Sequence, residues 1–368
     1  MIAERPRLLV EACLGAAERR REAWDRWLEL TGFDEIDSVS MDLLPSVAQL
    51  NRGLEFREIG RLNGLFRRNW ALNQDRIKRV LPLLCALRAR GLDPVPIKGL
   101  AVALSTYGSL GGRCFADVDV LVSADRFREA ADVAVHCGFT PHSGFSWPRA
   151  SVKSWSFQSS DGDDVDLHAR AMEEPWNTEA EVLMRDQPGT VMISGVGFRI
   201  LSPAASLVVA IMHGLRFDGR GYCRWLVDAG LLIGQGRVDW DQVDRIATAL
   251  RVTFAVSSGL CELARFLPHA SIPMEPQGAR ERPLWQRLEH TFRTRPPAGL
   301  TGALPNPYFL YLRERSVGLW NDGFPSFLRQ VWQIPPGEGL GRLLAQKFLR
   351  RTASVLPRRE PSRNVLRP

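Results

Sequence analysis

The chain has 368 residues, of which 45% are hydrophobic and 24% are charged, and its formal net charge is +7. This composition is typical of a globular protein with more than one domain, and it excludes a predominantly disordered or fibrous chain. The longest apolar run, near Leu207 to Met212, is far shorter than the roughly 20 residues that a membrane-spanning helix needs, so we expect no stable membrane insertion.

The six cysteines stand singly along the chain, without a CxxC pair or a short-range cluster. Their spacing argues against a zinc site or a disulfide framework and favours a reducing compartment. An apolar patch near the amino terminus is interrupted by Glu11, and no convincing cleavage site follows it. We therefore expect a cytoplasmic protein.

Residues 1–90 are predicted to form an N-terminal helical region. Apolar residues recur there at three- and four-residue spacing among arginines, as in the segments Leu43 to Leu54 and Ile77 to Leu87. This spacing is typical of helices with one buried face. Gly91 and Pro94 end the pattern.

Residues 91–201 are predicted to form an α/β core. The extended segment Pro94 to Ile97 leads into a turn at Lys98-Gly99 and then into a helix from Leu100 to Tyr107. A glycine-rich stretch follows, which we expect to be a flexible connection. It leads to a strand at Asp117 to Val122.

After this strand the sequence predicts a helix over residues 124–137 and then two hairpins. Asp161-Gly162 supplies a glycine-permitted turn for the first of them. The hairpin strands are Val152 to Ser159 with Asp164 to Ala169, and Thr190 to Ile193 with Phe198 to Leu201.

Residues 202–268 are predicted to form a helical domain that begins at Ser202-Pro203, a strong helix start. Asp239 followed by Gln242 resembles a capping box. Four helices are expected, at about 203–216, 222–233, 240–250 and 254–267. Residues 269–368 are predicted to be a C-terminal helical and irregular region with a solvated basic tail.

The strongest chemical signal lies in the strand that contains Asp117 and Asp119. Side chains alternate faces along a strand, so these two carboxylates project together and repel each other unless a cation lies between them. Asp166, alone on an apolar strand, supplies a third carboxylate. Three carboxylates form an oxygen-only site of the kind that Mg²⁺ prefers. We therefore expect Asp117, Asp119 and Asp166 to bind metal and to be catalytic.

The order of these motifs resembles that of the nucleotidyltransferase superfamily typified by DNA polymerase beta, and more closely that of the bacterial family of uncharacterised nucleotidyltransferases. The resemblance covers roughly residues 80 to 265. The matching stretches are Pro96-Ile97-Lys98-Gly99, Tyr107, Arg113, Asp117 to Val122, Val165-Asp166-Leu167-His168, Trp225-Leu226-Val227-Asp228 and Asp239-Trp240. The superfamily usually has a Gly-Ser or Gly-Gly pair at the turn, whereas this chain has Lys98-Gly99, as does the closer family.

The resemblance implies an α+β fold, in which a nucleotidyltransferase-like mixed sheet core carries flanking helical regions at both ends. It also implies metal-dependent transfer of an NMP group from an NTP such as ATP to an acceptor hydroxyl or phosphate, with release of pyrophosphate. Mg²⁺ or Mn²⁺ would be the cofactor. The acceptor could be a small molecule, a peptide, a protein or RNA.

Lys98 and Gly99 are expected to bind the nucleotide phosphates, because a helix N-terminus offers free amide groups and a lysine adds charge. The alternative for Lys98 is a surface lysine that caps the strand. Arg113 could hold a triphosphate oxygen or pair with one of the carboxylates.

His168 shares a strand face with Asp166 and is expected to support the nucleotide site by hydrogen bonding. Asp164 lies on the same face and is an alternative to Asp166 as the third carboxylate. Asp228, with Arg216 and His213, could contact base, ribose or acceptor, whereas packing is favoured for Trp225.

Two other functions fit parts of the pattern. A glycosyltransferase could use an Asp-x-Asp motif to bind a metal and a nucleotide sugar, but such folds need a βαβ region ahead of the motif, where this chain reads as helices. A catalytically inactive nucleotide-binding or regulatory module is the second alternative. The presence of all three candidate carboxylates counts against it.

Overall fold

The computed structural model describes residues 4–33, 35–142, 153–162, 164–172, 178–215, 223–273, 305–316 and 320–331, with isolated positions between 284 and 341. The chain begins with helices, as the apolar spacing predicts. The described helices before the first strand are α1 Glu4–Leu14, α2 Ala17–Thr31, α3 Ser38–Leu50 and α4 Ile59–Ala89.

A mixed five-stranded sheet follows, with strand order β1-β2-β5-β4-β3. The central strands β2 and β5 are parallel, and the other neighbouring pairs are antiparallel. Asp119 of β2 lies directly opposite Asp166 of β5 in the register. The strands are β1 Val95–Pro96, β2 Asp117–Leu121, β3 Thr140–Pro141, β4 Ser154–Gln158 and β5 Asp164–His168.

Both predicted hairpins are confirmed. Strands β4 and β5 pair antiparallel, and Gly162 in their connection adopts a φ of +85° that favours glycine. The second hairpin joins β6 Gly189–Ile193 to β7 Val196–Ile200 as a separate two-stranded sheet. Ser194 and Gly195 form its turn with φ values of 48° and 84°, which is the backbone that tight two-residue hairpins require.

The helices of the second half follow the predicted order except for α7, Thr178–Arg185, which lies between the two hairpins and was not predicted. Helix α5 begins at Lys98, two residues before the predicted Leu100, because only Ile97 separates β1 from the helix. The remaining described helices are α5 Lys98–Ser105, α6 Phe127–His136, α7 Thr178–Arg185, α8 Pro203–Gly214, α9 Arg224–Gly234, α10 Trp240–Ala249, α11 Thr253–Ala264, α12 Pro305–Ser316 and α13 Phe324–Val331.

The predicted helix caps hold with one difference. The Ser202 hydroxyl accepts a hydrogen bond from the Ala205 amide, and the Asp239 carboxylate accepts from the Gln242 amide. Gln242 does not complete a capping box, because its buried side chain makes a different hydrogen bond. It accepts a hydrogen bond from the Ser202 hydroxyl at 3.0 Å, which ties α10 to the start of α8.

Two apolar cores hold these elements together. The first combines buried residues of the N-terminal helices with those of residues 201–272, and the stacked Trp24 and Trp27 rings lie in it with centroids 5.2 Å apart. The second lies between the sheet, α6 and the C-terminal half of α4. Helix α4 contributes Leu62 to the first core and Leu83 to the second, so it connects the two.

The glycine-rich loop between α5 and β2 is held by side chains of α4. Asn69 donates to the Gly111 carbonyl at 2.8 Å, and Asn73 donates to the carbonyls of Leu110 and Arg113 at 2.8 and 3.0 Å. These asparagines are four residues apart and therefore share a helix face. The sequence predicts a flexible connection here, whereas the structure has a loop whose buried carbonyls are bonded to α4.

None of the helices in the described ranges is long and apolar enough to cross a membrane. None of the six cysteines, all of which lie in the described ranges, forms a disulfide bond. The basic tail lies outside the described residues.

The Asn73 amide satisfies two buried carbonyls, so Asn73→Ala should lower the free energy of unfolding by roughly 1–3 kcal/mol. Asn63→Ala is the matched control, because Asn63 is exposed on the same helix and should change stability by no more than about 0.5 kcal/mol. Urea denaturation measures both. Equal effects of the two variants would contradict the proposed attachment of the loop to α4.

Candidate functional site

The candidate site residues converge on a cavity of about 630 Å³ between the central strands, α4, α5 and the helices α8 and α9. His168 contacts Asp119 beside this cavity. The other site residues that the sequence predicts all line it: Lys98, Gly99, Arg113, Asp117, Asp119, Asp166 and Asp228.

Three side chains form a compact group with metal-binding potential. The ligand atoms of Asp119, Asp166 and His168 all lie within 4.8 Å of one another. Their closeness follows from the fold, because Asp119 is opposite Asp166 in the parallel pair and His168 shares the face of Asp166. Asp117 lines the same cavity but is not a member of this group.

Asp164, the alternative third carboxylate, has other partners. It accepts hydrogen bonds from the side chains of His142 at 3.0 Å and Gln158 at 3.1 Å. It does not line the cavity, whereas Asp166 does. The geometry therefore favours Asp166 over Asp164.

Lys98 is buried, which contradicts the alternative that it is a surface lysine. Its Nζ lies 2.5 Å from Asp119 Oδ1 and 3.5 Å from His168 Nε2, and its side chain is 9% exposed. The residue adopts a φ of 51° at the start of α5, in the left-handed region that non-glycine residues rarely enter. This backbone conformation aims the ammonium group at the carboxylates.

The charged groups of this cluster shift one another's pKa values. Burial by itself raises the pKa of Asp119, but the Lys98 ammonium and the hydrogen bond from His168 together hold that pKa well below its usual range. For Asp117 the attraction of the Lys98 ammonium is outweighed. Burial and the negative charges of Asp119 and Asp166 raise its pKa.

His168 is neutral in this environment. Burial and the neighbouring Lys98 ammonium lower the pKa of His168 to about 4, despite the opposing effect of Asp119. The ring contacts the Arg170 carbonyl through Nδ1 at 3.1 Å and Asp119 Oδ1 through Nε2 at 2.7 Å.

Arg113 and Asp228 form a buried ion pair and not two independent contacts. Arg113 Nε donates to both Asp228 carboxylate oxygens at 2.9 and 3.0 Å, and the Tyr107 hydroxyl donates to Oδ1 at 2.9 Å. Of the two roles considered for Arg113, the structure has pairing, with a carboxylate of α9 and not with Asp117 or Asp119. This pair joins the α5–β2 loop to the helical region.

Burial lowers and Asp228 raises the pKa of Arg113, and the net pKa is raised. Burial and the Asp228 charge also raise the pKa of the Tyr107 hydroxyl well above its usual value. Arg113 therefore stays charged and Tyr107 stays protonated, which preserves the three-membered contact.

Two glycines are required by packing around the cavity. A Cβ on Gly99 would lie 2.7 Å from Phe115 Cβ, and a Cβ on Gly214 would lie 2.0 Å from the Trp225 ring. The Gly99 backbone therefore lies in close contact with the Phe115 side chain. Trp225 is buried against Gly214 of α8 and also lines the cavity.

The sequence did not single out the basic residues on the remaining wall of the cavity. Arg68 and Arg76 of α4 line it together with Lys153 and Arg224. Arg224 pairs with Asp42 at 3.1 Å. The four-residue spacing of Arg68, Leu72 and Arg76 is a signal that could have located this wall. His213 also lines the cavity, whereas Arg216 lies outside the described residues.

The raised pKa of Asp117 means that its ionised form opposes folding. In metal-free protein we therefore expect Asp117→Asn to raise the melting temperature by roughly 2–4 °C for each ~1 kcal/mol of relieved repulsion. The gain should grow as the pH rises above the usual Asp value of 3.8, since a raised pKa stabilises the folded state only while the group is protonated. Thermal melts in EDTA test this.

Asp164→Asn is the control for this measurement, because Asp164 is more exposed and lies outside the cavity. A lower melting temperature for Asp117→Asn across the whole pH range would contradict the expected repulsion.

Comparison with known proteins places this geometry in a family. Residues 55–268 match the family described as uncharacterised nucleotidyltransferase. No curated protein matches the chain.

Two solved structures show limited similarity. The antibiotic-resistance factor ANT(2″)-Ia is 15% identical with a TM-score of 0.36, and the match covers 52% of this chain and 98% of that chain. An antigenic nucleotidyltransferase-like protein from Paracoccidioides brasiliensis is 18% identical with a TM-score of 0.34, and the match covers 52% and 93%. The family match extends over more than half of the chain, and the chain therefore belongs to the family of uncharacterised nucleotidyltransferases.

Proposed function

We propose that this protein transfers an NMP group from an NTP to an acceptor hydroxyl or phosphate and releases pyrophosphate. The observation that carries the proposal is the arrangement of Asp117, Asp119 and Asp166 along two parallel strands at one cavity, with the Lys98 ammonium among them. This arrangement combines negative groups for a divalent cation with a positive group for phosphate.

The donor atoms fit a divalent metal ion. Asp119 and Asp166 supply carboxylate oxygens, and the Lys98 ammonium already lies against Asp119, so this group accepts a cation. We propose that Asp117, Asp119 and Asp166 hold Mg²⁺ or Mn²⁺. Such an ion, when bound, neutralises phosphate charge and stabilises the charge that develops on the reacting oxygens.

The residues of the chain divide the remaining tasks. The acceptor oxygen forms a bond to the α-phosphorus, and the bond between this phosphorus and the bridging oxygen to the β-phosphate breaks, so pyrophosphate leaves with the electron pair. Asp166 takes the proton of the acceptor oxygen. Lys98 and the first-turn amides of α5, including that of Gly99, hold the outgoing phosphates.

The Arg113–Asp228–Tyr107 contact fixes the wall of the cavity on which the nucleotide or acceptor lies. Because Arg113 and Asp228 are 5% and 4% exposed and bonded to each other, we propose that they position this wall and do not transfer protons. Positioning is a large part of catalysis in phosphoryl transfer.

The glycosyltransferase alternative is disfavoured by the order of elements. Such a fold needs a nucleotide-binding βαβ region before the Asp-x-Asp motif, and the described helices α1 to α4 occupy that part of this chain. The three carboxylates and the lysine in one cavity likewise disfavour an inactive binding module.

Asp166→Asn should lower kcat by roughly 10²–10⁴-fold, because the variant loses the proton acceptor. The affinity for metal–NTP should fall by less than about tenfold, or ~1.4 kcal/mol, because Asp117 and Asp119 remain. The measurement uses purified protein, each α-labelled NTP, Mg²⁺ or Mn²⁺, and a cell extract as the source of acceptor. Labelled product and nucleotide binding are quantified separately.

Asp164→Asn is the matched control from the same strand and should retain transfer. If no NTP labels any component of the extract with the unaltered protein, the transferase proposal is wrong. Equal losses of turnover and NTP affinity in Asp166→Asn would contradict the role given to Asp166.

A further inference from the structure

His168 has no chemical task in the proposed reaction, although its position is unusually well defined. The side chain is 1% exposed, and its Nε2 lies 2.7 Å from Asp119 Oδ1. His168 also belongs to the compact group that includes Asp119 and Asp166.

Both ring nitrogens face oxygen atoms that can only accept. Nδ1 lies 3.1 Å from the Arg170 carbonyl oxygen, and Nε2 lies 2.7 Å from Asp119 Oδ1. Nε2 faces the Lys98 ammonium at 3.5 Å, which can only donate. Nε2 and Asp119 Oδ1 therefore lie beside the same positive charge.

These two atoms lie 2.7 Å apart. Lys98 supplies that charge, with its Nζ 2.5 Å from Asp119 Oδ1. A metal ion would satisfy the same two atoms directly. Histidines that bind metals commonly donate their other ring N–H to a backbone carbonyl, as His168 does to Arg170.

We propose that His168 ligates the metal through Nε2 together with Asp119 and Asp166, and that the site therefore prefers a first-row transition-metal ion such as Mn²⁺ over Mg²⁺. Imidazole nitrogen suits transition metals, whereas Mg²⁺ is bound almost entirely by oxygen. This inference rests on the proposed function in assigning the three side chains to a metal centre. It differs from that proposal in the ligand set and in the preferred ion.

The test uses the full chain after EDTA treatment, with Mn²⁺ as the probe and without nucleotide. Electron paramagnetic resonance measures Mn²⁺ affinity, and its pulsed form detects coupling of the ion to imidazole ¹⁴N. The unaltered protein should give ¹⁴N coupling. His168→Gln should lose the coupling and bind Mn²⁺ at least roughly tenfold more weakly, with a smaller loss for Mg²⁺ in competition.

His136→Gln is the control, because His136 is an exposed histidine on α6 that should affect neither measurement. Bound Mn²⁺ without ¹⁴N coupling in the unaltered protein would overturn the proposal. Unchanged Mn²⁺ affinity in a folded His168→Gln variant would do the same.

Lys98→Met keeps the proposal testable if His168→Gln does not fold. Removing the competing ammonium should tighten Mn²⁺ binding and preserve the ¹⁴N coupling, and weaker binding without coupling would count against His168 as a ligand. Mn²⁺ binding with ¹⁴N coupling but no nucleotide transfer would support this inference and contradict the proposed function. Transfer that depends on Mn²⁺ but shows no ¹⁴N coupling would support the proposed function and contradict this inference.

Discussion

The parallel pairing of β2 with β5 places Asp119 and Asp166 directly opposite each other at the cavity. Two carboxylates within 4.8 Å repel by roughly 3 kcal/mol at an effective dielectric constant of about 20, so the fold requires a cation here. Lys98 supplies it from the start of α5. The left-handed backbone of Lys98 costs roughly 1–2 kcal/mol, which is less than the repulsion that its ammonium offsets.

Local features of the sequence predicted the secondary structure and the carboxylate set. The hairpin turn at Gly162, the Ser202 cap and the shared face of Asp117 and Asp119 depend on residues that are close in the chain. The partners of Lys98 could not be predicted in this way, because Asp119 and His168 are 21 and 70 residues away. The pairing of Arg113 with Asp228 spans 115 residues and depends on how the helical region packs.

The loop between α5 and β2 forms one wall of the cavity. Its glycines predict a flexible backbone, but hydrogen bonds hold the loop in place. Asn69 and Asn73 of α4 donate hydrogen bonds to the carbonyls of this loop, and the Arg113–Asp228 pair attaches the loop to α9. Gly111 allows close packing against Phe66, since a Cβ there would lie 2.2 Å from that ring. Glycine therefore serves close approach here and not mobility, and the site is organised before any ligand arrives.

The first apolar core unites buried residues of the N-terminal helices, residues 8–62, with those of residues 201–272. During synthesis at about 5–20 residues per second, the N-terminal helices therefore wait roughly 10–40 s for the segments that complete their core. The faces of α1 and α3 that pack against α9 lack their final partner throughout this interval, whereas the Trp24 and Trp27 rings pack on each other and on Phe33. The order of the elements along the chain thus makes late assembly part of how the protein reaches its folded state.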